Sequence, residues 1–282
     1  MPHLLCFGFG FTARTLARHL EPRGWTVTGT SRAPKDGLLL FDGSSPLPEA
    51  AFDGVTHLLI SAPPGEHGDP VLRCHEADLA RRAAQFAWAG YLSTTGVYGD
   101  RGGDWVDEYA PLIPSTDRGR RRLDAENRWL RLYVQHALPV QIFRLAGIYG
   151  PGRNQLSAIR DGTARAIIKP GQVFSRIHVE DIAGVLEASM ARPAPGQAYN
   201  VCDDEPSPPQ DVLAYGARLL GCPPPPEIPF EDADLSPMAR SFYAESKRVA
   251  NRRIKDELGY RLLYPTYREG FRALLPAMAS GA

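Results

Sequence analysis

A glycine-rich turn near the amino terminus most constrains how this chain can fold. An apolar segment at residues 3–7 runs into Gly8-x-Gly10-x-x-Ala13, and a helical pattern continues to Leu20. Gly8 permits a tight turn, Gly10 lets a pyrophosphate approach the backbone, and the small Ala13 permits close packing of helix on strand. The segment therefore predicts a strand, a turn and a helix whose first N–H groups face a dinucleotide.

The end of the second predicted strand indicates which dinucleotide is preferred. NAD-selective proteins place an acidic residue there to hold the ribose 2′-hydroxyl, but residues 25–30 are followed by Ser31 and Arg32. A guanidinium pairs with a 2′-phosphate that a carboxylate would repel. We therefore expect NADP rather than NAD as the cofactor, with a solvent-exposed arginine as the alternative interpretation of Arg32.

Composition limits the class of protein and its surroundings. The chain has 282 residues, 43% of them hydrophobic, and a formal net charge of zero, which argues against a nucleic-acid partner. No apolar run approaches the roughly 20 residues that span a bilayer, and no secretory signal opens the chain, so we expect a soluble protein without a membrane partner. The four cysteines form no CxxC pair, which favours the cytoplasm. His67, Cys74 and His75 match no zinc spacing, so we expect no metal.

Strand-like and helical segments alternate along the first half of the chain. The strand-like segments are residues 3–7, 25–30, 38–41, 56–61, 90–93 and 140–144. Between them, residues 71–86 and 116–135 show helical periodicity. This alternation predicts an α/β, Rossmann-type fold with a doubly wound parallel sheet, whose ligands lie at the carboxyl ends of the strands.

The pattern changes after about residue 150, where proline becomes frequent. Proline clusters at 206–209 and 223–226 cannot continue a helix or a central strand and so indicate loops. Helical patterns return at 211–220 and 247–258. We divide the chain into a dinucleotide-binding domain, residues 1–150, and a smaller C-terminal substrate lobe, residues 151–282.

Five further segments carry a family resemblance. They are STTGVYG at 93–99, FRLAGIYGPGRN at 143–154, RIHVEDIAGVLEASM at 176–190, YNVCDDEP at 199–206 and KRVANRRIKDELGYRLLYPTYREG ending at Gly270. Together with the amino-terminal turn they make nearly the whole chain similar to extended short-chain dehydrogenases/reductases. The resemblance is to the NAD-dependent epimerase/dehydratase family, which acts on nucleotide sugars, and it implies that residues 176–200 return to the first domain.

The resemblance also implies a cofactor site at the turn and at the ends of the neighbouring strands. Asp42, after the third strand, would lie near the adenine, and residues 61–63, after the fourth, would line the dinucleotide. The predicted cofactor residues are Gly8, Gly10, Phe11, Thr12, Ala13, Ser31, Arg32, Asp42, Ser61, Ala62 and Pro63.

At the expected catalytic positions the chain matches the family at one residue and departs from it at two others. Thr94 lies three residues before Val-Tyr-Gly. The family has a Ser or Thr at this position, which hydrogen-bonds the reacting oxygen. Alternatively, Thr94 caps the following turn. Arg118 and Arg122 stand where the family has the tyrosine and lysine of Tyr-x-x-x-Lys. A tyrosine of pKa about 10 can be tuned to exchange a proton, whereas a guanidinium of pKa above about 12 effectively cannot be deprotonated.

Three explanations of this departure stay open. Another acid, Tyr98, Tyr109 or His178, replaces the tyrosine; the chain binds NADP and a ligand without turnover; or the helix is misaligned, although residues 100–140 contain no Tyr-x-x-x-Lys. Each acid also has a structural interpretation, as a packing tyrosine, a loop aromatic or a structural histidine. Residues 118 and 122 share one helix face, which is solvated or else clamps a phosphate or carboxylate.

Two functions follow from these observations. The first is an NADP-preferring oxidoreductase or epimerase acting on a nucleotide-sugar-like or other carbonyl or hydroxyl substrate. The second is a non-catalytic NADP-binding sensor or regulatory protein. The predicted catalytic residues are Thr94, Tyr98, Arg118 and Arg122, and the predicted substrate residues are Thr95, Tyr149, Asn154, Arg176 and His178.

The oligomeric state is predicted only by the resemblance. Small residues recur on the helical segment 71–86, and a second helix passes through Ala125 and Trp129. In the family two such helices form a dimer through a four-helix contact, whereas packing against the sheet explains them equally well. A monomer and a homodimer both stay open.

Overall fold

The computed structural model describes residues 1–279 as a parallel sheet covered by helices on both faces, with a smaller lobe at one end. The strands are β1 (His3–Phe7), β2 (Thr26–Ser31), β3 (Leu38–Leu40), β4 (His57–Ile60), β5 (Trp88–Thr94), β6 (Trp105–Val106), β7 (Val140–Leu145), β8 (Gly147–Tyr149), β9 (Ala166–Ile168), β10 (Arg176–His178), β11 (Ala198–Val201), β12 (Glu227–Pro229) and β13 (Arg248–Val249). The α-helices are α1 (Phe11–Leu20), α2 (Pro70–Arg81), α3 (Asp117–His136), α4 (Leu156–Arg160), α5 (Val179–Ala191), α6 (Pro209–Leu220), α7 (Pro237–Tyr243), α8 (Arg252–Asp256) and α9 (Tyr267–Ala279).

Seven strands form the main sheet in the order β11-β7-β5-β4-β1-β2-β3, and every neighbouring pair in it is parallel. The strand order reverses between β1 and β4. In doubly wound sheets the crevice at such a reversal, beyond the carboxyl ends of the strands, is where ligands bind. The α/β Rossmann-type prediction is thereby confirmed.

The hydrophobic core lies on both faces of this sheet because its central strands are apolar along their whole length. One face packs against α1 and α5, which contact each other, and the other packs against α2 and α3. A third cluster, which includes Leu156, Val212 and Phe271, forms the centre of the smaller lobe. The sheet is thus a rigid platform, and its carboxyl edge faces the lobe.

The predicted strands occur within two residues of their expected bounds, but the helical pattern at 247–258 is partly wrong. Residues 248–249 form β13, which pairs with β6 through the N–H of Arg248 to the carbonyl of Asp104, 2.9 Å. Helix forms only over α8. Val249 and Ile254 are apolar and buried, as a continuous helix over 247–258 would also require. The periodicity of apolar residues alone therefore could not distinguish that helix from a strand followed by a short helix.

The segment from α5 to β11, residues 179–201, packs against elements of the first 150 residues. Helix α5 packs on α1, and β11 pairs with β7 at the edge of the main sheet. The smaller lobe is built mainly from α4, α6, α7, α9 and the short strands between them. Among the described residues, no helix is long and apolar enough to cross a membrane.

Candidate functional site

A cleft of about 840 Å³ opens between the carboxyl edge of the main sheet and the smaller lobe. The start of α1 and the ends of β5 and β7 form its platform side, and α7 forms part of its lobe side. Predicted site residues that line it are Phe11, Thr12, Ser61, Thr94, Thr95, Arg118, Arg122, Tyr149, Asn154 and Arg176. Half of the twenty predicted site residues are therefore brought to one cavity.

The amino-terminal turn leaves room above its backbone. Gly8 has φ +91°, and a Cβ there would lie 3.1 Å from the backbone nitrogen of Ala62. The N–H of Gly8 donates to Oγ1 of Thr30 at 2.8 Å, which ties the turn to β2. A Cβ at Gly10, in contrast, would meet nothing within 4 Å. The space beside Gly10 can therefore admit a ligand close to the main chain.

Helix α1 begins at this open space without a capping side chain. Its N-cap is Gly10, and its first turn contains no acidic residue. The first N–H groups of a helix lack intrahelical partners and carry the positive end of its dipole, so an uncapped start attracts an anion. Ala13 is fully buried behind the turn, where its small side chain allows the helix to approach the sheet. The turn and helix fit a dinucleotide pyrophosphate.

The residues expected around the adenosine part lie at the ends of the next strands. Ser31 ends β2, and the exposed Arg32 follows it. Asp42 follows β3; its carboxylate accepts hydrogen bonds from the N–H and hydroxyl of Ser44, which lower its pKa. After β4, the N–H groups of Ser61 and Ala62 donate to the carbonyl of Phe7 and so hold that segment, with Pro63, against β1. The exposed Arg32 thus lies directly after the carboxyl end of β2.

Thr94 ends β5 with its side chain at the cleft. Its Oγ1 accepts the N–H of Gly96 at 3.2 Å, so the hydroxyl caps the short 3-10 turn that follows. Thr94 therefore has the capping role that the sequence left open. The cap uses only a lone pair of the hydroxyl oxygen. The hydroxyl hydrogen stays available to donate to an oxygen in the cleft. Capping and a hydrogen bond to a substrate are therefore compatible.

Helix α3 approaches the Thr94 turn very closely. Thr116 caps the helix by accepting the N–H of Gly119 at 3.1 Å. A Cβ at Gly119 would lie 2.9 Å from the carbonyl oxygen of Gly96. The absence of a side chain at position 119 therefore lets the first turn of α3 press against the turn that carries Thr94.

Arg118 and Arg122 share a helix face but have different surroundings. The buried Arg122 donates from Nη1 to the carbonyl of Leu92 at 2.6 Å and to the hydroxyl of Tyr91 at 3.2 Å. It thereby anchors α3 to β5. Arg118 makes no such backbone bond; its guanidinium lies 5.6 Å from the ring centre of Phe242 in α7.

A second arginine near Arg118 is Arg153, which lies between β8 and α4. Partial burial lowers the pKa of Arg118, and the charges of Arg122 and Arg153 lower it further. The guanidinium of Arg153 lies 5.9 Å from the ring centre of Phe11. Both Arg118 and Arg153 line the cleft. The two cations that share the cavity without an anchoring role are thus Arg118 and Arg153 rather than Arg118 and Arg122.

The three candidate acids lie outside the cleft lining. Tyr98 is fully buried; its hydroxyl donates to Oδ1 of Asn200 at 2.7 Å and accepts from Arg144, and burial raises its pKa to about 12. Tyr109 is 81% exposed on a surface loop. His178 is buried, its Nδ1 accepts the N–H of Glu180 as a cap for α5, and burial lowers its pKa to about 4. None of the three therefore lines the cleft with Thr94.

The residues predicted to contact substrate differ in their burial and in their hydrogen-bond partners. Thr95 follows Thr94 at the cleft. Asn154 braces its own loop by donating to the carbonyl of Gly150 at 3.0 Å and accepting the N–H of Leu156. Tyr149 packs edge-on against Phe271, and its buried hydroxyl has no hydrogen-bond partner among the described residues. Arg176 is buried and donates from Nη1 to two backbone carbonyls, those of Phe174 and Ser207.

Two groups at the site were missed in the sequence. The buried Glu126 accepts hydrogen bonds from Ser93 and Arg144 directly behind β5. No local pattern marked Glu126, because its partners lie 33 and 18 residues away along the chain. Lys247, which sequence periodicity places in a helix, instead donates to the carbonyl of Gly99 and to Glu245, each at 2.7 Å, at the cleft wall. No local pattern marked Lys247, because its contact with Gly99 joins segments 148 residues apart.

Two curated proteins show the relationships of the sequence. Protein YeeZ of Escherichia coli (strain K12) is 30% identical over 293 residues, covering 94% of this chain and 97% of YeeZ. The 3-diazoavenalumate denitrifying reductase of a Streptomyces species is 30% identical over 181 residues, covering 58% of this chain and 57% of the reductase. No family model matches the chain.

Solved structures share the fold over nearly the whole length. A functionally unknown conserved protein from Silicibacter pomeroyi DSS is 58% identical with a TM-score of 0.92, covering 98% of this chain and 99% of that one. Human epimerase family protein SDR39U1, solved with NADPH, is 18% identical with a TM-score of 0.73 and covers 97% and 99%. The dTDP-glucose 4,6-dehydratase of Bacillus anthracis, solved with NAD, is 16% identical with a TM-score of 0.80 and covers 99% and 97%. These last two likenesses concern the fold alone.

Proposed function

The chain belongs to the extended short-chain dehydrogenase/reductase family of NAD-dependent epimerases and dehydratases, and on that premise we propose that it is an NADP-preferring oxidoreductase. The observation that carries the proposal is the uncapped start of α1 beside the open backbone of Gly10. Such a start binds the pyrophosphate of a dinucleotide through main-chain N–H groups. Arg32 supports NADP because its exposed guanidinium can pair with a 2′-phosphate.

Residues of the chain would hold the cofactor along the sheet edge. Gly8, Gly10 and the start of α1 bind the pyrophosphate, Asp42 lies toward the adenine, and Ser61 follows β4 beside the cleft. When bound, the nicotinamide gives or takes a hydride. Because Thr94 and Thr95 line the same cavity, a substrate in the cleft would lie between these hydroxyls and the smaller lobe.

Reduction is the direction that the residues at the cleft favour. Thr94 donates its hydroxyl hydrogen to a substrate oxygen, and Arg118 stabilises negative charge that develops there. A guanidinium does not remove a proton from an alcohol, so oxidation would lack its usual base. Reduction also needs a proton at the substrate oxygen, and water that enters the open cleft would supply it, because the guanidiniums do not exchange protons. The substrate is then a carbonyl compound, with nucleotide sugars among the candidates.

Two comparisons support this reading. SDR39U1, which shares the fold, is named as a complex with NADPH, and the Streptomyces relative is named as a reductase. Both agree with a nicotinamide-dependent reductase in this family. The nucleotide-sugar enzymes among the fold neighbours support a small-molecule substrate.

The test combines cofactor binding with turnover. Titration of NADPH, followed by its fluorescence, should give saturable binding, and a panel of carbonyl substrates should give NADPH oxidation. Thr94→Val should lower turnover by at least about tenfold while NADPH still binds, since a hydrogen bond to developing charge is lost. Thr26→Val, on the exposed start of β2, is the matched control and should change neither quantity. Absence of NADPH and NADH binding would overturn the proposal.

The second candidate function is a non-catalytic NADP-binding sensor. The observation that favours it is Arg118 in place of the proton-exchanging tyrosine, with none of the three alternative acids at the cleft. A sensor would bind NADPH without oxidising it across the substrate panel and would bind a partner protein only in the presence of the cofactor. Turnover sensitive to Thr94→Val excludes this candidate.

A further inference from the structure

The cleft is positively charged although the whole chain is neutral. Five cationic side chains line it, those of Arg118, Arg122, Arg153, Arg176 and Lys247. Glu245 is the one carboxylate among the lining residues, and it forms an ion pair with Lys247 at 2.7 Å. The formal net charge of the protein is zero. An uneven distribution of this kind attracts anionic ligands to a cleft.

Three of these cations already have partners. Arg122 and Arg176 donate to backbone carbonyls, and Lys247 binds Glu245 and the carbonyl of Gly99. The guanidinium groups of Arg118 and Arg153 differ, since neither takes part in an ion pair or a side-chain hydrogen bond found among residues 1–279; their recorded side-chain contacts are with aromatic rings. Two neighbouring guanidiniums without an anionic partner repel each other, so an anion between them would relieve an unfavourable charge arrangement.

Aromatic rings hold both guanidiniums. Arg118 lies over Phe242, 5.6 Å from the ring centre, and Arg153 lies over Phe11 at 5.9 Å. A guanidinium packed on a ring keeps its N–H edges free for hydrogen bonds in its own plane. The chain therefore holds two planar donors that can bind the oxygens of a carboxylate or phosphate.

The same cleft has an aromatic wall on the side of the smaller lobe. Phe174, Phe242 and Tyr243 line it, and Phe174 and Tyr243 pack edge to face with centres 5.5 Å apart. Phe242 is 51% exposed, which leaves apolar surface beside the cations. A ligand that covers this surface gains burial of its own apolar atoms.

We propose that the substrate is an aromatic molecule with one terminal anionic group, which Arg118 and Arg153 hold beside Thr94. The anion is a carboxylate or a phosphate, and its aromatic part packs against Phe174, Phe242 and Tyr243. Arg118 thus binds substrate at the position where its relatives exchange a proton. This inference rests on the proposed function, because Thr94 marks the reacting end of the cleft.

The experiment titrates three probes by calorimetry, with and without NADPH. The probes are trans-cinnamate, its neutral analogue trans-cinnamamide, and phenyl phosphate. At least one anionic probe should bind at least about tenfold more tightly than cinnamamide, and its binding should weaken as salt is raised. Preference for cinnamate or for phenyl phosphate identifies which anion the site accepts.

Variants assign the anion to the two arginines. Arg118→Gln and Arg153→Gln should each weaken binding of the preferred anion by at least about tenfold, since a charge-assisted hydrogen bond is lost. Neither change should alter binding of cinnamamide. Arg121→Gln, which removes the same charge three residues further along α3 and outside the cleft lining, is the matched control and should have little effect. Arg118→Lys should restore part of the affinity.

The outcomes separate this inference from the proposed function. If NADPH binds but neither anion binds, or cinnamamide binds as tightly as the anions, the anion site is refuted and the proposed function stands. The same conclusion follows if Arg121→Gln weakens binding as much as Arg118→Gln does. If the anions bind through Arg118 and Arg153 but neither dinucleotide binds, the proposed function fails while the anion site stands.

Discussion

Nη2 of Arg144 lies 2.9 Å from Oε2 of Glu126, and the two side chains are 5% and 1% exposed. The pair joins β7 to α3 behind the strand that ends in Thr94. Glu126 also accepts from the hydroxyl of Ser93, and Arg144 donates to the hydroxyl of Tyr98 at 2.9 Å. Because every member is buried and bonded, the network holds three elements in one relative position.

We expect loss of one partner of this pair to destabilise the fold. Glu126→Gln leaves the Arg144 charge buried without its counter-charge, so the free energy of unfolding should fall by about 3 kcal/mol or more. Urea denaturation followed by circular dichroism measures the change. Glu76→Gln removes a more exposed pair, Glu76 with Arg128, and should cost at most about 1 kcal/mol. Equal losses in the two variants would contradict the prediction.

Protonation of His57 should destabilise the protein in acid. Burial lowers its pKa from 6.5 to about 4, and its ring packs edge-on against Trp25 with centres 4.6 Å apart. The unfolded chain therefore binds a proton more readily than the folded chain. Its stabilising contribution is complete above pH 6.5 and is lost as the pH falls to about 4, a change on the order of 3 kcal/mol.

The measurement compares the unfolding free energy of wild type and His57→Gln between pH 4 and pH 7. The wild type should lose more stability than the variant as the pH falls. His67→Gln, at an exposed histidine, is the control and should keep the wild-type pH dependence. A His57→Gln curve parallel to that of the wild type would refute the lowered pKa.

Arg32 should determine the choice between the two dinucleotides. Arg32→Ala removes the group expected to pair with the 2′-phosphate, so the dissociation constant for NADPH should rise by about tenfold or more. Binding of NADH should change little, because it has no such phosphate. Fluorescence titration with both cofactors checks this, and Lys35→Ala in the same exposed loop is the control. An equal loss for NADPH and NADH would show that Arg32 does not distinguish them.

Substitution of the two glycines of the turn should separate folding from cofactor binding. Gly8→Ala forces a side chain into a left-handed conformation 3.1 Å from the nitrogen of Ala62, so it should lower both stability and NADPH affinity. Gly10→Ala meets open space and has φ −86°, so its effect on unfolding should stay below about 1 kcal/mol. It should still weaken NADPH binding, since the methyl group occupies the path of the pyrophosphate. Unchanged affinity in Gly10→Ala would contradict a pyrophosphate at this position.

Local patterns were sufficient to predict the alternating strands and helices and the turn at Gly8. These elements are determined by residues that are close together in sequence. Examples are the run of apolar residues in β1 and the helical spacing of apolar residues in α1. They failed where distant segments decide the outcome. Residues 247–258 were expected to be helical, yet Arg248 and Val249 pair with β6, a strand more than a hundred residues earlier.

The candidate site shows the same limit. The spacing of Arg118 and Arg122 placed them on one helix face, but it could not show that Arg122 would bond to Leu92 and Tyr91. Arg153 and Phe242 come to Arg118 from different loops and helices. Their meeting depends on how the smaller lobe folds over the sheet, for which no short segment carries a signal.

The close approach of Gly119 to the carbonyl of Gly96, together with the bond from Arg122 to the carbonyl of Leu92, sets the separation of positions 118 and 94 without any contribution from the Arg118 side chain. An exchange such as Arg118→Tyr would therefore alter the chemistry available to a substrate while leaving its supporting frame in place.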